Sequence, residues 1–113
     1  FVEMGCESEE YYDAEQTCGS PQIYRKNARS LEFTREYLDW CTNKSILDDS
    51  PSVSGPEKPG FKEHRHDQSI LTNLSVKYGI KRFRDPSQFG GPYIKSEPDS
   101  DYGTIFDLHR RKY

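Results

Sequence analysis

Apolar positions along this chain gather in two stretches with helical spacing and thin out elsewhere into short extended patches. In "SLEFTREYLDWCTN", Leu31, Thr34, Leu38 and Cys41 fall on one side of a helix, and Phe33, Tyr37 and Trp40 widen the stripe. Ser30 is a residue type that caps a helix N-terminus, so a helix is predicted over residues 30–42. A second helix is predicted to start near Asp67, which or a neighbour of which would cap it. Ile70, Leu71, Leu74 and Tyr78 carry its apolar face, Gly79 suits the left-handed residue after the last turn, and Ile80 suits the apolar contact beyond it. A shorter helix, capped by Ser8 and acidic in its first turn, is expected within "ESEEYYDAEQ". "QIYRKN" and "IKRFRD" read as short strands, "DPSQFGGP" as turn chemistry, and Ile105, Phe106 and Leu108 as an edge strand or docked tail. Helices packed on a small sheet give an α/β or α+β class, and an exposed sheet edge leads to the expectation of self-association.

Between the two long helices the composition changes. Residues 43–63 hold Pro51, Pro56, Pro59, Gly55 and Gly60 among Ser and Asp, which predicts a long surface loop; such loops in small domains are usually functional or disordered. With 113 residues the chain suffices for one domain, 1–113, and Leu, Ile, Val and Phe make up under a fifth of it, so its core must be thin. Eight Tyr and one Trp add the apolar faces that make a folded chain the expectation. Net charge is −3, and the basic patches "KRFR" and "HRRK" are short and flanked by acids, which argues against a nucleic-acid partner. Cys6, Cys18 and Cys41 are odd in number and form no CxxC pattern, consistent with a reducing, cytoplasmic setting. No apolar run approaches the roughly 18–20 residues of a membrane span. The opening "FVEMGC" reads as the tail of a strand, so a fragment of a longer protein is expected.

The densest chemistry lies in "FKEHRHDQSILTNL", where His64, Arg65, His66, Asp67 and Gln68 follow one another at the mouth of a predicted helix. On an extended backbone His64 and His66 point to the same face. Two imidazoles and a carboxylate can ligate Zn, Mn or Fe, and a metal protein built on His64, His66 and His109 is one reading. The plainer alternative makes Asp67 a helix cap, His66 a structural hydrogen-bond partner, and His64 and Arg65 solvent-facing. Without cysteine ligands in this block, no tightly bound structural zinc is expected.

The stretch "PGFKEHRHDQSILTNLSVKYGI" resembles bacterial glycosyltransferase-like proteins of capsule and surface-polysaccharide synthesis, in which an "EHRHDQS" block precedes a helix ending in "KYGI". "YYDAEQTCGSPQIYRKNARSLEFTREYLDWC", "RDPSQFG" and "LHRRK" are similar to other parts of that family. The resemblance implies a fragment of a GT-A type nucleotide-sugar transferase, the acceptor-side or C-terminal part, that alone is inactive. It implies catalytic roles for Asp67 and Gln68, substrate contacts from His64, Arg65, His66 and Arg110, and His109 as a metal ligand. A divalent Mn or Mg would serve the whole enzyme, with a nucleotide-sugar donor and a saccharide acceptor as partners, in the cytoplasm or at a membrane periphery. The residue types fit that chemistry: a carboxylate suits the electron-poor sugar carbon or the acceptor hydroxyl, and basic groups or a metal suit the departing diphosphate. The chain departs from the family pattern at the nucleotide site. Its "DSD" at residues 99–101 lies in a Pro- and Ser-rich stretch, and neither G-x-G-x-x-G nor a P-loop occurs. A non-catalytic interaction or regulatory domain related to such transferases is the alternative.

Overall fold

Four α-helices follow a 3-10 turn at Val2–Met4 among the described residues: α1 (Glu9–Tyr12), α2 (Ala28–Cys41), α3 (Lys44–Leu47) and α4 (Asp67–Lys77). The computed structural model describes residues 1–48, 50–51, 54–90 and 102–108. The chain divides into two compact units, Phe1–Ile80 and Lys81–Tyr113.

All four helices lie in the first unit, and α4 is its centre. Ile70, Leu71 and Leu74 are buried with Met4, Cys6 and Phe33 in one cluster, and Tyr11, Tyr37, Trp40, Ile46 and Tyr78 pack around it. Six consecutive residues of α4, Ile70 to Ser75, are buried, so the helix is enclosed on more than its apolar face. Three of those six are polar and each is satisfied. Thr72 Oγ donates to the Gln68 carbonyl and accepts from the Thr17 backbone N–H at 2.8 Å, Ser75 Oγ donates to the Leu71 carbonyl, and Asn73 Nδ2 donates to the Met4 sulfur at 3.7 Å. The Thr17 bond fastens the extended segment after α1 to the side of α4.

The helix ends follow local chemistry. Asn27 caps α2, accepting from the Ser30 N–H at 2.9 Å while Ser30 Oγ accepts from the Asn27 N–H at 3.1 Å, a capping box that starts the helix before Ser30. Ser30 therefore sits at the third helical position and is not the cap. At the end of α4, the Gly79 N–H donates to the Val76 carbonyl and the Ile80 N–H to the Ser75 carbonyl, both at 2.9 Å, with Gly79 at φ 58°. This is the paired arrangement of a Schellman motif, and glycine takes the left-handed position without steric cost.

A sheet is absent among the described residues, which corrects the expectation of helices on a small sheet and of a transferase-like α/β fragment. Residues 22–26 and 81–86 carry no regular structure and enter no ladder; the pairing that does form among the described residues is one isolated parallel bridge, Ser87 to Phe106. The physical reason is burial. A strand is stable when a partner and a packed face accept it, yet Ile23 is 78% exposed and Phe83 55%, so neither segment buries the apolar side chain that a strand would pack.

The described residues of the second unit include a turn after Asp85. Asp85 Oδ1 accepts from the Ser87 N–H at 2.8 Å, the turn chemistry expected of "DPSQFGG", and the Gln88 amide pairs with both backbone groups of Leu108. At Gly90 a Cβ would lie 2.0 Å from the Asp85 carbonyl oxygen, so a side chain would force the turn open.

A carboxylate network locks α2 to α4. Glu36 Oε1 accepts from Lys77 Nζ at 2.5 Å and from Trp40 Nε1 at 3.3 Å, and Oε2 accepts from the Tyr78 hydroxyl at 2.8 Å. Partial burial pushes the Glu36 carboxyl up, but the hydrogen bonds from Lys77, Tyr78 and Trp40 outweigh it and hold it below the usual range. The bond to Glu36 pushes the Tyr78 phenol up to about 12. A lowered acid stabilises the fold above its unfolded pKa of about 4.3, and that contribution is lost as pH falls further. A raised phenol stabilises below about 10 and loses the contribution towards about 12. Glu36→Gln should therefore narrow the stability difference from wild type below about pH 4 and flatten the alkaline limb. Urea melts across pH would check this, and two parallel stability profiles would contradict it.

Candidate functional site

The polar block at the start of α4 opens onto a groove of about 720 Å³. Helix α2 contributes Thr34, Tyr37, Leu38 and Cys41, the end of α3 contributes Leu47 and Asp48, and the entry to α4 contributes His66 and Asp67. The wall is largely apolar, with a phenol, a thiol, a hydroxyl, an imidazole and two carboxylates set into it. The thiol at Cys41 is pushed up by burial and by the Asp67 charge, so it stays a neutral thiol at neutral pH. Burial, with the charges of Cys41 and Asp67, pushes the Tyr37 phenol up to about 12, so it too stays protonated, and its hydroxyl reaches the Asp67 carbonyl at 3.4 Å.

His66 is the helix N-cap residue and lacks a side-chain capping bond. Its backbone stands at φ 50° and ψ −125°, a region that favours glycine and costs other residues about 1–3 kcal/mol. The turn is held by its neighbours: the Arg65 N–H donates to Ser69 Oγ at 2.9 Å, and the Gln68 N–H to the Arg65 carbonyl. Asp67, the first residue of α4, is exposed on the groove and is not the cap. It sits at the positive end of the helix dipole, which suits a carboxylate.

The remaining sequence-predicted residues part company at this turn. Gln68 lies against the 14–19 segment, its Cγ 3.1 Å from where a Cβ of Gly19 would be, and does not line the groove. Arg65 points to Glu63, Nε to Oε1 at 3.5 Å, across an exposed pair of the kind worth little in stability. The ring of His64 packs edge-on to His66 at 5.9 Å, with its Nε2 sealed from solvent and without a hydrogen-bond partner among the described residues. His109, Arg110 and the Asp-Ser-Asp at 99–101 lie outside the described residues. Among the described residues no three His, Cys, Asp or Glu side chains gather to hold a metal, and His109, the ligand that the resemblance implies, lies outside them.

Thr34, Tyr37, Leu38 and Cys41 belong to the apolar stripe of the helix predicted over residues 30–42, and Asp48 to the loop predicted over residues 43–63. The available signal was the width of the α2 stripe: Phe33 turns into the core at 4% exposure, while Leu38, on the groove side, is 63% exposed. A second hollow of about 500 Å³ runs along α2 past Arg35, Glu36 and Asp39 to Tyr78, where the structural Glu36 network occupies the polar groups. No helix among the described residues is long and apolar enough to cross a membrane. Compared with protein families, with curated proteins and with solved structures, the chain finds no match.

The backbone at His66 gives a direct test. His66→Gly and His66→Ala both remove the imidazole, but only glycine relieves the backbone. The Gly variant should be more stable than the Ala variant by about 2 kcal/mol, beyond the preference of under about 1 kcal/mol that glycine has over alanine at an ordinary N-cap. Thermal melts would decide, and an Ala variant as stable as Gly would mean that the turn is relaxed in solution.

Proposed function

We propose that this chain serves the acceptor side of a glycosyltransferase, holding a saccharide whose hydroxyl receives a sugar from a nucleotide-sugar donor. The observation that carries the reading is the placement of Asp67, from the "EHRHDQS" block, on a groove whose other wall presents Tyr37 and Thr34. Sugar rings combine apolar C–H faces with a rim of hydroxyls. They are suited by an aromatic or aliphatic wall carrying a few fixed polar groups, and this groove has both.

In that role Asp67 accepts the proton of the acceptor hydroxyl as its oxygen bonds to the anomeric carbon and the bond to the nucleotide diphosphate breaks. Thr34 and the protonated Tyr37 phenol orient the acceptor by hydrogen bonding. Gln68 acts one step back, holding the 14–19 segment against α4. A non-catalytic saccharide-binding domain would use the same groove without the proton transfer, and the two readings separate on Asp67.

Amide chemical shifts of the chain, titrated with neutral oligosaccharides, should move at Thr34, Tyr37, Cys41 and Asp67 and stay fixed along Arg35 and Asp39. In a protein that carries this chain and transfers sugar, Asp67→Asn should melt normally, within about 1 kcal/mol, and lose on the order of a hundredfold in rate. Binding without any loss of transfer in that variant would leave a saccharide-binding domain; no shifts at millimolar saccharide would remove the proposal.

A further inference from the structure

The charge of the groove is one-sided. Among the described residues, Asp48 and Asp67 are its ionic side chains apart from His66, and no Lys or Arg lines it. Among the described residues neither carboxylate has an ion-pair partner; the pairs that form are Arg65 with Glu63 and Lys77 with Glu36, both away from the groove. Asp48 accepts from the Ser50 N–H at 3.0 Å and feels the charges of Lys44 and His64, which moderate it without covering it. Helix α2 delivers Cys41, its last residue, to the same wall, so the negative end of its dipole adds to the field. The N-terminus of α4 offsets part of the Asp67 charge from the other side.

A ligand resting on the Tyr37 and Leu38 wall therefore meets a negative potential at its polar edge. From this charge complementarity we infer that the groove selects a cationic amino sugar, with a free protonated amine, over a neutral sugar and against a uronic acid. The inference rests on the saccharide reading above and narrows it to a substrate class. The ammonium group faces the carboxylate side of the groove, where it replaces some of its water with charge-assisted hydrogen bonds. The sugar ring lies on the aromatic and aliphatic wall, where the phenol face also favours a nearby cation. A uronate placed in the same pose brings a third carboxylate to a groove that already carries Asp48 and Asp67.

Three methyl glycosides that differ only at carbon 6 test this: 6-amino-6-deoxyglucoside, glucoside and glucuronide. Each is titrated into the 113-residue chain at about pH 7.5, where an alkyl amine is charged. The readout is the amide shifts of Tyr37, Cys41 and Asp67. Expected is an order of amine, then alcohol, then acid, with about tenfold between the first two at low salt and a smaller gap at about 0.5 M salt. Asp48→Asn and Asp67→Asn should each lower the preference, and the double variant should abolish it while circular dichroism shows the helices intact. If all three glycosides bind equally, or the glucuronide binds best, the amino-sugar inference is overturned and the saccharide reading stands. A preference that survives the double variant would assign the attraction to net charge elsewhere and overturn the inference as well. Should none of the three bind, both fall together.

Discussion

The enclosure of α4 is the constraint on which the first unit depends. A helix buried along six consecutive residues cannot be satisfied by an apolar stripe alone, because its polar side chains must find partners where water does not reach. Thr72, Asn73 and Ser75 do so with the helix backbone, the 14–19 segment and the Met4 sulfur. Those bonds decide what lies beside α4: the strap after α1 is held by Thr17, and the 3-10 turn by Met4. The apolar residues supply most of the driving force, and the polar ones fix the arrangement.

The same enclosure shapes the groove. With one side of α4 taken by the strap and another by Phe33 and the Glu36 network, its N-terminal turn is left projecting towards α2 and α3. Asp67 is there because the helix begins there, and the strained His66 turns the incoming chain so that the helix can begin. Two neighbouring residues of one sequence block thus serve different surfaces, Asp67 the groove and Gln68 the strap, because successive helical residues are about 100° apart.

Helix positions were legible in the sequence wherever the signal was local. Gly79 and Ile80 announce the end of α4 through a motif that needs only those residues and the last turn, and the period of Phe33, Tyr37 and Trp40 announces α2. The start of α2 was displaced because Asn27 and Ser30 are both capping types, and only the reciprocal bonds show which of them caps. Strands were not legible in the same sense. "QIYR" and "KRFR" have the right residues, but a strand exists only through a partner elsewhere in the chain, and nothing local reveals that none arrives among the described residues. The groove was half legible: Asp67 and His66 stand out in a polar block, whereas Tyr37, Cys41 and Asp48 become a site only once α2, α3 and α4 meet.

The chain between Asp48 and His66 joins two walls of one groove, and each wall is anchored by its own helix. Closing such a segment costs entropy that grows only with the logarithm of its length, about 0.6 kcal/mol for each doubling. Residues can therefore be added to or removed from its middle while the helices that carry Asp48 and Asp67 stay where they are. Over evolutionary time the rim of this groove is free to be rewritten at little thermodynamic expense, with the floor beneath it unchanged.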